Sequence, residues 1–184
     1  MKAILVGLVL SLFALTVPAA IPQGLTLTVE FHELSKESQR QVTCLAENIY
    51  FEAGSESISG KIAVAFVTIN RVLSGKFPTN VCGVVYQKHQ GVCQFSWFCD
   101  PATVKRKQQI KNTALYRDIV DLSILILLYH TLIDDVTRGA TYFHNVTVNP
   151  RWRLFKTTQI GNHIFYRQSK DKHETSASRR IHIH

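Results

Sequence analysis

The chain has 184 residues, of which 46% are hydrophobic, so it has room for one ordinary domain with a real core plus short appendages. Its 21 Lys and Arg against 13 Asp and Glu give a formal charge of +8, which rules out an acidic surface and favours polyanionic partners. An exported basic protein meets wall polymers, phospholipid surfaces or outer-membrane sugars sooner than it meets nucleic acid.

Residues 1–20 hold one charge, Lys2, then a continuous apolar stretch from Ala3 to Val17, then Pro18, Ala19 and Ala20. A charged start, an apolar run and small residues at a cleavage point make a signal peptide. A signal-anchor competes with that reading, because the run is close to the lower limit of about 17 residues for spanning a bilayer. In either case the protein leaves the cytoplasm. Residues 21–35 read as a linker or an edge strand, with Leu25, Leu27 and Val29 alternating behind Pro22 and Gly24.

From Lys36 to Ala53 the apolar residues Val42, Leu45, Ile49 and Ala53 recur at spacings of three and four, the stripe of an amphipathic helix that Gly54 stops. Ile62 to Val72 is apolar on nearly every side and reads as a buried helix ending at Gly75. Pro78 forces a turn, and Asn80 is placed to cap a short helix through Val81, Val84, Val85 and Tyr86. Residues 87–101 form an irregular loop that sets Phe95 and Trp97 among polar side chains. Exposed aromatics on a surface loop are candidates for ligand contact; the other reading is that both fill gaps in the core. A second long helix is expected from Asn112 to Ile133, with its apolar centre interrupted by Asp118, Asp121 and His130 and too short to span a membrane. After Gly139 two or three short strands follow, and beyond Arg167 a polar, basic, flexible tail.

Cys44, Cys82, Cys93 and Cys99 all lie after the N-terminal segment, and an even number in an exported chain points to disulfides. Three pairings are possible. Cys93 with Cys99 would staple a short loop and leave Cys44 with Cys82; the alternative is buried thiols. No C-x-x-C pair is present, which disfavours structural zinc, and His182 and His184 at the chain end are weak ligand candidates. No metal and no cofactor are expected.

Glu52 stands out for acid catalysis. It follows Leu45 by seven residues and falls on the apolar stripe in the last helical turn. Burial and the negative helix end both disfavour its charged form, so it can carry a proton near neutral pH and donate it to a glycosidic oxygen. A helix-end glutamate bonded to backbone or to a lysine is the plainer alternative. Other chemistries fit less well. His32-Glu33 is followed by Lys36 where a second zinc histidine would stand, no G-x-S-x-G occurs, and His89 near Cys93 is a weak pair if that cysteine is oxidised.

The run Tyr50-Phe51-Glu52-Ala53, Glu56, Gly60, Ala63-Val64-Ala65 and Asn70-Arg71-Val72 resembles the SleB-type cell wall hydrolase family. The likeness continues through Val81-Cys82, Val85-Tyr86-Gln87, the block Cys93 to Asp100, Ala140-Thr141-Tyr142-Phe143-His144, and Gly161-Asn162-His163-Ile164-Phe165-Tyr166. It covers most of 44–166 in order. That family includes spore cortex-lytic enzymes and phage or bacterial relatives, among them bacteriolytic endolysins. The resemblance implies an α+β, mainly α, lysozyme-like single domain over 36–167 with a small β-hairpin or sheet near its end. It also implies peptidoglycan as substrate, cut after N-acetylmuramic acid by a lytic transglycosylase with Glu52 as general acid and base. An internal hydroxyl then replaces the second carboxylate of ordinary glycosidases. Gln94, Phe95, Ser96, Trp97, Tyr142 and His144 match positions expected in the sugar cleft, with Asn162, His163 and Tyr166 either lining the same wall or belonging to the core. A monomer, exported to the periplasm or outside, with membrane contact only through its N-terminal segment and no nucleic-acid partner, completes the expectation.

Two departures stand out. The family commonly reads Glu-Ala-Arg-Gly-Glu where this chain has Glu52-Ala53-Gly54-Ser55-Glu56, and Pro101 stands where glycine often follows the aspartate. Three rival readings remain: a hydrolytic muramidase using Asp100 or Glu56 as second carboxylate, a metal-dependent amide-cutting wall enzyme, and a non-catalytic peptidoglycan binder.

Overall fold

The computed structural model describes residues 29–168. Residues 1–20, expected to be a signal peptide or signal-anchor, Leu25 and Leu27, the tail from 169 onward, and His182 with His184 lie outside the described residues. Among the described residues five α-helices and two small sheets follow one another: α1 (Lys36–Ala53), α2 (Ile58–Ser74), α3 (Val81–Val85), β1 (Lys88–His89), β2 (Val92–Cys93), α4 (Pro101–Ile110), α5 (Ala114–Tyr129), β3 (Tyr142–Asn145), β4 (Phe155–Ile160) and β5 (His163–Arg167). The architecture is α+β and mainly helical. No helix among the described residues is long and apolar enough to cross a membrane.

Each helix start is fixed by a side-chain oxygen that takes an otherwise unpaired backbone N–H. Ser35 accepts from Ser38 at α1, Ser57 from Gly60 at α2, Asn80 from Gly83 at α3 and Thr113 from Tyr116 at α5. Gly75 closes α2 in the left-handed conformation, φ 69°. Gly54 ends α1 differently: it is right-handed at φ −57°, and an added Cβ would lie 2.4 Å from the Tyr50 carbonyl oxygen. Glycine is required there by close approach rather than by handedness.

The main core lies between α1, α2, α3 and α5, where Leu45, Ile49, Ile69, Val85, Ile119, Ile126 and Leu127 lose their water entirely or nearly so. Of the segment before α1, residues 31–33 form a 3-10 turn rather than an edge strand, and Phe31 and Leu34 pack on the core beside it. Helix α5 is shorter than expected: it ends at Tyr129, His130 caps it still in the right-handed conformation, and the Leu132 N–H turns back to the Tyr129 carbonyl at 2.8 Å. Helix α4 went unread in the sequence. Asp100 caps it and Pro101 opens it, a recognisable start, but Lys105-Arg106-Lys107-Gln108-Gln109 offers no apolar stripe to announce it.

The three strands near the C-terminus form an antiparallel sheet in the order β3-β5-β4, with β4 and β5 joined by the two-residue turn Gly161-Asn162. Residues i and i+2 of a strand share a face. One face carries Phe143 and Phe165 onto Ala63 and Val67 of α2, a second small core; the opposite face carries Tyr142, His144 and Tyr166. Strands β1 and β2 make a short hairpin around Gln90 and Gly91, both at positive φ.

Disulfides join Cys44 to Cys82 and Cys93 to Cys99. The first ties α1 to α3 across 38 residues, and the second closes a loop of 6. Loop-closure entropy makes the longer tether the stronger one, about 4 kcal/mol against about 2. Replacing Cys44 and Cys82 by alanine is therefore expected to lower the unfolding free energy in urea about twice as much as replacing Cys93 and Cys99. A larger loss from the short loop would contradict that account.

Candidate active site

Glu52 occupies the last turn of α1, where the stripe that includes Leu45 and Ile49 turns toward the sheet. Its side chain is half-buried. Burial pushes its carboxyl up to about 7, and the nearby Arg71 guanidinium opposes the shift without cancelling it. A carboxyl in this state exchanges its proton near neutral pH.

Arg71 is the cation that faces it. The residue is buried on α2, its Nε donating to the Thr141 carbonyl at 2.7 Å, and its guanidinium lies 5.0 Å from the Phe95 ring centre, 5.2 Å from Phe77 and 5.9 Å from Tyr142. Burial pulls its pKa down to about 10, with Tyr142 and Glu52 opposing, so it stays charged at neutral pH. Its Nη1 is buried with no hydrogen-bond partner among the described residues, so ring faces and the Glu52 carboxyl are what the charge meets.

Beneath Glu52 the helix rests on aromatics. Phe51 stacks on Trp97 with ring centres 4.8 Å apart, and the Trp97 indole N–H donates to Asn48 Oδ1 at 3.0 Å, while Asn48 donates to Thr68 on α2 at 3.2 Å. Beside them lies a buried ion pair, Lys107 with Glu47 at 2.6 Å, which also receives the Tyr86 hydroxyl at 2.6 Å.

The sequence-derived site residues separate into three groups. Tyr142 and His144 stand together on the outer face of the sheet, joined by Tyr166, whose hydroxyl lies 3.0 Å from His144 Nε2. His144 Nδ1 faces the Asn145 carbonyl at 2.8 Å and so carries the proton of the neutral ring, leaving Nε2 to accept from Tyr166. Gln94 and Ser96 are exposed on the loop. Of the two readings of Phe95 and Trp97 the core one holds: they are only 3% and 6% exposed, Trp97 stacked under Phe51 of α1 and Phe95 against the Arg71 guanidinium, in the loop that the Cys93–Cys99 disulfide closes. His163 lies on the inner face, edge-on to Phe143, with burial lowering its pKa. Asn162 is exposed at the hairpin turn, where its backbone and side-chain N–H groups donate to Glu56 at 3.3 and 2.9 Å.

That last contact bears on the second carboxylate. Glu56 is held by Asn162 and its carboxyl lies below the usual range, the Asn162 side chain being the main cause. Asp100 accepts from Thr103 Oγ1 at 2.7 Å and from the Ala102 N–H at 3.0 Å as the cap of α4, and is lowered by the same bonds. Both are engaged as structural acceptors. The sequence reading missed Arg71 as a site residue, although Asn70-Arg71 was conspicuous, and missed Trp152, a lone indole in a polar loop that lies 6.0 Å from Tyr142 and 5.4 Å from His144. Gly54 stands where the family's Glu-Ala-Arg-Gly-Glu has arginine, and the backbone there lies too close to the Tyr50 carbonyl to accept a side chain without shifting.

Comparison with known proteins gives a consistent picture. The family model described as Cell Wall Hydrolase matches residues 55–166, beginning three positions after Glu52. A spore cortex-lytic enzyme of Halalkalibacterium halodurans is 29% identical over 131 residues, 70% of this chain and 35% of that protein. The spore cortex-lytic enzyme of Bacillus subtilis is 38% identical over 50 residues, 27% of this chain and 16% of that protein. The chain thus spans about a third or less of the length of the curated relatives it matches. Among solved structures, the catalytic domain of the germination-specific lytic transglycosylase SleB from Bacillus anthracis superposes with a TM-score of 0.52 at 26% identity, covering 70% of this chain and 95% of that one. The catalytic domain of the Bacillus cereus SleB protein gives 0.52 at 25%, covering 73% and 95%.

The raised pKa of Glu52 has a consequence for stability. Its folded-state pKa of about 7 lies above the ordinary 4.5, so the fold favours the protonated form. Stability from this group is fully present below pH 4.5 and is lost as pH rises through 7. Glu52→Gln, which never ionises, should match the parent at pH 4 and exceed it by roughly 2–3 kcal/mol at pH 8. Denaturant melts at the two pH values measure this; a pH-independent difference would mean that Glu52 is ordinarily acidic.

Proposed function

The chain belongs to the cell wall hydrolase family, and from that premise we propose that it cleaves the glycan strand of peptidoglycan between N-acetylmuramic acid and N-acetylglucosamine as a lytic transglycosylase. The observation that carries the reading is the half-buried Glu52 carboxyl poised at about 7 beside Arg71, with Glu56 and Asp100 engaged elsewhere.

Glu52 enters the reaction protonated and donates to the glycosidic oxygen as its bond to muramic C1 breaks, leaving N-acetylglucosamine with a new 4-hydroxyl. Positive charge develops at C1 and the ring oxygen. The Glu52 carboxylate then takes the proton of the muramic 6-hydroxyl as that oxygen bonds to C1, which closes a 1,6-anhydro ring and returns Glu52 to its acid form. One carboxyl serves both half-steps, so no water and no second carboxylate enter. Arg71 favours the carboxylate between them and limits how far burial raises its pKa. A hydrolytic muramidase would need Glu56 or Asp100 to leave its hydrogen bonds and activate water.

Two disulfides fit an oxidising compartment, so the proposed site of action is the periplasm or the outside of the cell, with the chain working as a monomer. The Bacillus anthracis domain that superposes on this chain is that of a germination-specific lytic transglycosylase, and its likeness, shared by the Bacillus cereus domain, supports the same bond class here.

The test is mass spectrometry of fragments released from purified peptidoglycan by the oxidised protein, beside Glu52→Gln. Anhydro-muramic ends are expected, with the variant slowed at least about 100-fold, and the parent's rate should fall above pH 7 as Glu52 loses its proton. Reducing muramic ends would establish hydrolysis instead, and an unimpaired variant would remove Glu52 from the chemistry.

A further inference from the structure

The segment that builds the three-stranded sheet is unusual in composition. From Val136 to Gln168 the chain carries Arg138, Arg151, Arg153, Lys156 and Arg167 and not one Asp or Glu. Two acids reach this region from outside it: Glu56, spent on the Asn162 turn at one end, and Asp135, spent on Thr137 and Gly139 at the other. Trp152 sits in the middle, 41% exposed, with its ring steeply inclined to Tyr142, His144 and Tyr166 at interplanar angles of 64°, 81° and 86°.

His144 and Tyr166 lie nearly parallel, 22° apart, so Trp152 stands across their planes. Trp152 offers an apolar face to a pyranose and its indole N–H to a hydroxyl, while the His144 nitrogens and the Tyr166 hydroxyl are engaged with Asn145 and with each other. The patch is continuous with the acid, because Tyr142 contacts both Trp152 and the Arg71 guanidinium that faces Glu52.

Arg151 and Arg153, on either side of Trp152, are exposed and have no ion-pair partner among the described residues. Arg151 holds a positive φ of 51°, a conformation a side chain rarely adopts without compensation. Lys156 pairs with Tyr166 across the sheet and so shares its face. These cations are free to meet an anionic ligand.

We propose that this face, with Trp152, Tyr142 and His144 flanked by Arg151, Arg153 and Lys156, is a subsite for glycan that carries carboxylate-bearing peptide stems. The rings take the sugar and the cations take the stem. The inference rests on the proposed wall substrate and adds a preference for stem-bearing over bare strands.

Binding separates this from catalysis. The Glu52→Gln chain is mixed with wall sacculi freed of phosphate polymers, either intact or stripped of stems by an amidase, and the bound fraction is read after pelleting. Intact material is expected to bind about tenfold more tightly, an advantage that salt erodes. The triple variant Arg151→Gln, Arg153→Gln, Lys156→Gln should bind both materials alike, and no more tightly than the parent binds stripped strands, whose muramic residues keep the lactyl carboxylate. Trp152→Ala should weaken binding to both while its circular dichroism and melting temperature stay unchanged. Equal binding of both materials by the parent, or a preference that survives in the triple variant, overturns the stem subsite while leaving the cleavage reaction standing. Binding to neither material overturns the subsite and the wall substrate together.

Discussion

The placement of the sheet over the end of α1 depends on two adjacent side chains of α2. Asn70 Nδ2 lies 2.9 Å from Asp135 Oδ2 and 3.0 Å from the Ala140 carbonyl, and Arg71 Nε lies 2.7 Å from the carbonyl of Thr141. Asp135 in turn receives the N–H groups of Thr137 and Gly139. The connection from α5 to β3 is thereby organised around polar groups that have left water, and buried amides and guanidinium groups without such partners are costly. Because the Asn70 and Arg71 contacts end where β3 begins, they also set the position of Tyr142 and of every residue paired with it. Glu56 secures the far end through Asn162 and Gly161, where an added Cβ would lie 2.0 Å from the Glu56 oxygen.

The same arginine links fold and chemistry. Its Nε fixes the strand, its guanidinium face is covered by Phe77, Phe95 and Tyr142, and its charge bears on Glu52. An arginine used in this way is insulated from water, so its influence on a neighbouring carboxyl is stronger than at the surface. Burial alone would carry Glu52 higher; the cation leaves it at about 7, where both protonation states are accessible. The backing of α1 by Trp97, Asn48 and Thr68 keeps the acid-bearing turn from shifting.

Helix α1 was legible, because the apolar stripe and Gly54 agree on its extent; the Ser35 cap that fixes its start emerged only in the structure. The Asn80 cap and the Gly75 end of α2 were legible as well, but α2 begins at Ile58 behind the Ser57 cap, four residues ahead of the apolar run from Ile62 that announced it. Helix α4 was not, since its signal lies in a cap and a proline rather than in periodicity. For the site, the position of Glu52 on the stripe foretold its burial, and loop spacing suggested the disulfide that closes residues 93–99. What the pattern did not reveal was direction: a loop of mixed aromatics and polar residues has no period, so whether Phe95 and Trp97 point in or out depends on a tether and on partners far away in the chain, as with Asn48 and its bond to Trp97 across 49 positions. Trp152 was missed for the opposite reason, as its neighbours Tyr142 and His144 come to it only through the β3–β4 connection.

A single uncommitted carboxyl beside a buried cation also limits which reactions the site suits. A water nucleophile needs a base on the far side of the sugar, separated from the acid by about 6.5–9.5 Å in inverting enzymes. The two carboxylates best placed in sequence to be that base are instead holding a hairpin turn and a helix start, with their acidity strengthened by those bonds. A base with a lowered pKa is a poor proton acceptor. Releasing either would loosen the sheet or unravel the start of α4, so recruiting them for catalysis works against the contacts that position the site. The proposed intramolecular attack avoids that conflict, since its nucleophile arrives already attached to the reacting sugar and needs only the proton-shuttling Glu52.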